Sequence, residues 1–156
     1  MTLTPKNVNR FILFKLPSAY FTGVRLIKLT DTEAVAKVRL NWFNKNPFKS
    51  LFWAVQGMAA ELPTGILVMK GIRKSKVNMA MLITHQTATF TKKAVGTIQF
   101  TCKDGQQIDE AIQEAIRTKE GQMIDLTSEG KDSTGAVVSR FTFAWSIKVK
   151  EVGIRK

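Results

Sequence analysis

The stretch from Leu51 to Met69 is apolar for almost its whole length and is bounded by Lys49 and Lys70. No other feature restricts the fold so tightly. A bilayer span takes about 20 such residues, so a membrane helix has to be weighed first. Gln56, Glu61 and Pro63 interrupt the run, and a carboxylate near the middle of a membrane costs about 2.5–3.5 kcal/mol or more. The segment is therefore expected to be a buried helix over residues 50–69, with Ser50 as its N-cap and Pro63 removing one backbone donor. Leu51, Phe52, Val55, Met58, Ala59, Leu62 and Ile66 cover nearly every face of it. A helix that is hydrophobic all round must be wrapped by something else.

The rest of the chain supplies the wrapping. Residues 7–16 carry a partly helical pattern stopped at Pro17-Ser18, and residues 23–29 and 33–40 read as a hairpin turning at Thr30-Asp31-Thr32. A polar and aromatic loop fills residues 41–50. Beyond Gly71, the basic linker Arg73-Lys74-Ser75-Lys76 leads to a strand over 81–92, and Gly96 reads as a reversal into a second strand over 97–103. Lys103-Asp104-Gly105 is a turn signal. Ile108, Ala111, Ile112, Ala115 and Ile116 then recur at helical spacing, as on a surface helix. Strands over 122–131 and 136–150 follow, the last with Val137, Ser139, Phe141, Phe143, Trp145, Ile147 and Val149 on one face. About six alternating strands and one enveloped helix imply an α+β chain: one domain over residues 1–156, an antiparallel sheet curled around a long apolar central helix.

Composition removes several chemistries. The 156 residues include one cysteine, Cys102, and one histidine, His85. Disulfide frameworks, cysteine cages and multi-histidine metal sites are excluded, so no metal is expected, and a histidine-based triad is disfavoured. Lys and Arg number 24 against 12 Asp and Glu, a formal net charge of +12. Nucleic acid is nonetheless disfavoured, because no recognition-helix or aromatic–basic RNA pattern occurs and the cations are spread through the chain. The first 17 residues lack an apolar core followed by a small-residue cleavage site, which points to a cytoplasmic protein without a membrane span.

Between Asn46 and Gly65 the chain resembles a known family. Many hotdog-fold thioesterases of the phenylacetate-pathway type carry an Asn before the central helix, a His-Gly-Gly six residues later, and an Asp or Glu nine beyond the His. Here Asn46, Phe52 and Glu61 stand at those spacings, with Phe52-Trp53-Ala54 in place of the His-Gly-Gly. The runs Asn46-Pro-Phe-Lys-Ser50 and Gln56-Gly-Met-Ala-Ala-Glu61-Leu-Pro-Thr-Gly65 are more similar to an uncharacterised hotdog branch known only as thioesterase-like.

The resemblance implies hydrolysis of acyl-CoA or acyl-carrier thioesters, in a homodimer or dimer of dimers with sites between subunits. Coenzyme A would enter as part of the substrate, and no separate cofactor is implied. Such a reaction needs a base or nucleophile and donors for the developing oxyanion. Glu61, the only carboxylate of the apolar helix, suits the first role, since burial would raise its pKa. Asn46 would position water or carbonyl, and backbone amides near Ser50 and Phe52 would polarise the thioester. Gln56 would line the pocket or bond across a dimer, while Arg73 and Lys92 would meet phosphates of the carrier. Each residue also has a plainer role: Glu61 as a paired structural carboxylate, Asn46 as a turn former, Ser50 as a cap, Arg73 and Lys92 as solvated cations. Phe52 in the histidine's place points to a second function, a non-catalytic hotdog module that binds a fatty-acyl or aromatic ligand.

Overall fold

Thr4 opens the first helix, its hydroxyl accepting a hydrogen bond from the Asn7 N–H at 3.3 Å, and Pro5 stands in the first turn, where its missing N–H costs nothing. The computed structural model describes residues 2–150. Helix α1 (Pro5–Lys15) buries Val8 and Ile12. Pro17 does stop α1, yet it also starts the short α2 (Pro17–Phe21), so Leu16 is a joint between two helices. Strands β1 (Arg25–Leu29) and β2 (Ala34–Arg39) form the expected antiparallel hairpin.

Helix α3 (Trp53–Ser75) is displaced along the sequence from the expected 50–69. It starts late because the loop before it has already claimed its polar groups. Ser50 is not the N-cap: its hydroxyl bonds Asn46, and the capping position falls to Phe52, which offers no side-chain hydrogen bond. The helix also runs on through Gly71 and through the supposed linker. Gly71 is buried against the next helix, where a Cβ would stand 2.7 Å from Ile112 Cδ1, and this packing holds the last turns helical. Lys76, at φ 58°, ends α3 in the left-handed conformation, its N–H bonded to the Arg73 carbonyl.

The remaining elements are β3 (Met79–Phe90), β4 (Thr97–Cys102), α4 (Gly105–Thr118), β5 (Gln122–Lys131) and β6 (Val137–Val149). All neighbours in the six-stranded sheet are antiparallel, in the order β1-β2-β4-β5-β6-β3. The reversal expected at Gly96 is therefore no hairpin. Beyond β3 the chain stays beside β6 at Thr91, whose N–H bonds Val138 O. It then crosses the sheet, Ala94 O taking the Leu51 N–H and Gly96 O the Leu40 N–H. That crossing delivers β4 between β2 and β5. Lys103-Asp104-Gly105 is the expected turn, and it leads from β4 straight into α4: Asp104 accepts the Thr127 N–H at 2.7 Å and the helix begins at Gly105.

The inward side chains of β2, β4, β5 and β6 close over α3, with Phe100, Phe141, Leu126 and Ile147 all fully buried. Cys102 belongs to this core, and burial pushes its thiol up to about 12. Helix α4 lays Ile108, Ile112 and Ala115 against the same core. Among the described residues no helix is long and apolar enough to cross a membrane.

Candidate functional site

Glu61 lies on the stripe Met58, Glu61, Leu62, Gly65, Ile66 and Met69 of α3, residues that helical periodicity brings to one side. Against this stripe stand Phe11, Leu16, Ser18 and Ala19 of the α1–α2 corner, Met81 of β3 and Trp145 of β6. Together they enclose a cleft of about 300 Å³. Its lining is apolar apart from Glu61 and Ser18. Glu61 is open to solvent at this cleft, yet the surrounding protein displaces enough water to hold its carboxyl above the ordinary glutamate value. Its backbone is pinned: Trp145 Nε1 donates to Thr64 Oγ1 at 3.1 Å, and that hydroxyl donates to the Glu61 carbonyl at 2.8 Å. Gly65 leaves room for the Trp145 ring, which a Cβ would meet at 3.3 Å.

The residues before α3 form a separate constellation. Asn46 Oδ1 accepts from the Phe48 N–H at 2.9 Å and the Ser50 N–H at 3.2 Å, while its Nδ2 donates to Ser50 Oγ at 3.0 Å. The side chain is thus spent on its own loop. The amides expected to polarise a carbonyl are spent as well: Leu51 N–H bonds Ala94 O, and Phe52 N–H bonds Asn44 O. The orphan donors of the helix start pass instead to Trp53 and Ala54. Gln56 is buried, its Nε2 on Leu51 O and its Oε1 accepting from Ser139 Oγ at 2.8 Å, so it ties loop, helix and β6 together. Lys92 pairs with Asp132 at 2.6 Å.

Asn46, Ser50, Phe52, Gln56 and Lys92 line one open depression with the aromatic rings of Phe48, Trp53 and Phe90. Glu61 is not among them. It lies about 12 Å further along α3 than Trp53, and Arg73, in the last turn, about 18 Å further still at 1.5 Å per residue. The spacing that looked like one site in the sequence is divided in the folded chain. Sequence reasoning also missed the other walls of the Glu61 cleft. Trp145 was visible only as an inward strand residue, and nothing local marks Phe11, Leu16 or Met81 as its neighbours. His85 is exposed on β3, away from both depressions. Among the described residues no group of three His, Cys, Asp or Glu side chains could hold a metal ion.

The fold is shared with solved structures. The chain is similar to a protein of unknown function from Pseudomonas aeruginosa described as a probable thioesterase, at 19% identity and a TM-score of 0.80 over 94% of this chain and 97% of that one. It is also similar to a protein of unknown function from Chlorobaculum tepidum, at 16% identity and a TM-score of 0.78 over 95% and 98%. A thioesterase from Haemophilus influenzae matches at 11% identity and a TM-score of 0.69 over 100% and 97%. The expected hotdog fold is therefore present: six antiparallel strands with the long α3 packed on them. No curated protein matches the sequence. Residues 5–147 match the family described as Domain of unknown function (DUF4442), and the chain belongs to that family.

Proposed function

We propose that this DUF4442 chain is a cytoplasmic thioesterase that hydrolyses acyl-CoA or acyl-carrier thioesters, with Glu61 as general base. One observation carries the proposal: the single carboxylate of α3 stands in an apolar cleft, with a raised pKa and, among the described residues, no cation or donor on its oxygens. A carboxylate so placed has nothing to neutralise it and holds a proton more readily than an ordinary glutamate, which suits a base working near neutral pH. Glu61 takes a proton from water as the water oxygen bonds to the thioester carbonyl carbon. The tetrahedral species then collapses, the C–S bond breaks, and the proton passes from Glu61 to the departing thiolate.

The oxyanion donors come, in this proposal, from the Trp53 and Ala54 amides, with Asn46 positioning the loop that presents them. These lie about 12 Å from Glu61 on the same helix, so a homodimer is proposed in which the α3 start of one chain serves Glu61 of the other. The edge strand β3 supports this: among the described residues it pairs only with β6, and none of them covers its other side along 12 residues. The net charge of +12 supports an anionic carrier such as coenzyme A. A second function, binding an acyl or aromatic ligand without turnover, is favoured by Phe52, which offers no imidazole where the resemblance expects one.

Hydrolysis of an acyl-CoA panel by wild type and Glu61→Gln decides between them. A loss of about 10²–10⁴-fold in the variant is expected for a missing general base. Equal rates would remove Glu61 from the mechanism. No turnover by the wild type, with an acyl ligand co-purifying, would establish the binding module.

A further inference from the structure

The cleft has a measurable length and volume, and both bear on the acyl group. From Glu61 to Met69 the helix advances about 12 Å at 1.5 Å per residue. An extended chain gains about 1.2 Å per bond, as the three bonds of an extended peptide residue span about 3.5 Å. About ten bonds therefore fit between the carboxylate and Met69. The volume agrees. An apolar cavity of about 150 Å³ takes benzene, with its six carbons, so the 300 Å³ here takes about twelve, and the thioester itself uses some of that space near Glu61.

The walls define the chemistry of the occupant. Beyond Glu61, toward the C-terminal end of α3, the lining is Leu62, Ile66, Met69, Met81 and Trp145, with Phe11 opposite. The only polar atom these side chains carry is Trp145 Nε1–H, and that is consumed by Thr64. A charged acyl tail would lose its water there with no opposite charge to meet it, and a hydroxylated one would find at most the single hydroxyl of Ser18 at the α1–α2 corner. The chain leaves α3 at Lys76 and enters β3 at Met79, so Met81 returns beside the C-terminal half of α3 and, with Met69, forms the far wall. Both are half-buried, and unbranched thioether side chains adapt to small changes in occupant length.

We infer that the Glu61 cleft selects a straight, unsubstituted acyl chain of about eight to ten carbons, whose methyl end stops at Met69 and Met81. This rests on the cleft being the acyl site of the proposed thioesterase. Binding is therefore tested apart from turnover, with S-alkyl coenzyme A thioethers, which cannot be hydrolysed, titrated into the full chain by calorimetry. Lengths of four, eight, ten and sixteen carbons are compared, and affinity should rise about fourfold per methylene (about 0.8 kcal/mol) and then stop rising near ten. Met69→Trp should move that break two to four carbons shorter, and Met81→Phe should do the same if the first variant fails to fold. Affinity that keeps rising to sixteen carbons, a flat profile, no binding at any length, or both variants weakening every length equally would overturn the inference. Turnover of the matching thioesters by the wild type is measured alongside. A break without turnover overturns the hydrolase but not the length selection, and turnover indifferent to length does the reverse.

Discussion

Glu61→Gln should make the protein more stable at neutral pH while it abolishes activity. The carboxyl is held above the ordinary glutamate value by loss of water around it. The native state therefore binds a proton more tightly than the unfolded chain does. By linkage, wild-type stability is greatest where Glu61 is protonated in both states, and falls as pH rises from the ordinary glutamate value through the raised one. Glutamine has the same shape and no such titration. The variant should match the wild type near pH 4 and exceed it at pH 8. Because Glu61 is open to solvent, screening holds the gain below about 1 kcal/mol, a rise of about 2–4 °C in Tm for a chain of this size. Thermal melts of both proteins across that pH range measure it directly. A variant that melts lower at pH 8 would show that the carboxylate makes a stabilising contact, and a gap that does not change with pH would show that charge has no part in it. Either result refutes the argument that Glu61 stands unpaired against apolar walls.

Two further outcomes test the frame that holds the cleft. Gly130 of β5 is the cross-strand partner of Phe100 on β4, and a Cβ there would lie 2.5 Å from Phe100 Cε1 and 2.8 Å from Cζ. The Phe100 ring is fully buried and sits edge-on to Phe141 at 6.0 Å. Gly130→Ala should cost about 1–3 kcal/mol and lower Tm by about 2–12 °C, and Phe100→Leu in the same chain should recover part of the loss; a melt unchanged within a degree would mean the ring has somewhere to go. Asp132 accepts from Lys92, from Thr134 and from the Ala136 N–H, which holds its carboxyl well below the usual range, Lys92 contributing most. Its contribution is complete above the ordinary aspartate value and is lost as pH falls from there through the depressed one. Asp132→Asn should therefore melt below wild type at neutral pH, with the gap closing in acid; a gap that widens in acid would reverse the assignment.

What the sequence made legible follows the range of the forces involved. The β5–β6 pair and the β1–β2 hairpin could be read because alternation and turn residues lie within a few positions of each other. Helix α4 could be read because one face alone is apolar. The existence of α3 was legible but its limits were not. Its start is set by Asn44, Asn46 and Ala94, which claim the amides and hydroxyl before it, and its end by the contact of Gly71 with Ile108 and Ile112. Gly71 in isolation is a helix breaker, and only the later segment turns it into a packing residue. The partner of β4 was hidden for the same reason, since strand pairing across the sheet leaves no local mark. Glu61 stood out because a lone carboxylate in an apolar run is conspicuous; the walls that give it a raised pKa come from α1, α2, β3 and β6 and are joined only by folding.

The division of the Asn46–Phe52–Glu61 spacing has a consequence for how the motif should be understood. Nine residues of helix separate its last two members by about 13.5 Å, too far for one small substrate group to touch both on one chain. The Asn46 side chain explains its own presence by closing the loop onto Ser50, and that closure places the first free amides of α3 at Trp53 and Ala54. Read this way, Asn46 matters for where the helix begins, and Glu61 for what happens at the cleft. A ring at position 52, beside the depression lined by Phe48, Trp53 and Phe90, is then less a missing catalytic group than part of an aromatic surface at the helix start. That surface and the open side of β3 are the faces the proposed homodimer would cover. In the proposed homodimer, chemistry that needs Glu61 together with an α3 start draws on two chains, and the spacing in the sequence then marks the two halves of the proposed site.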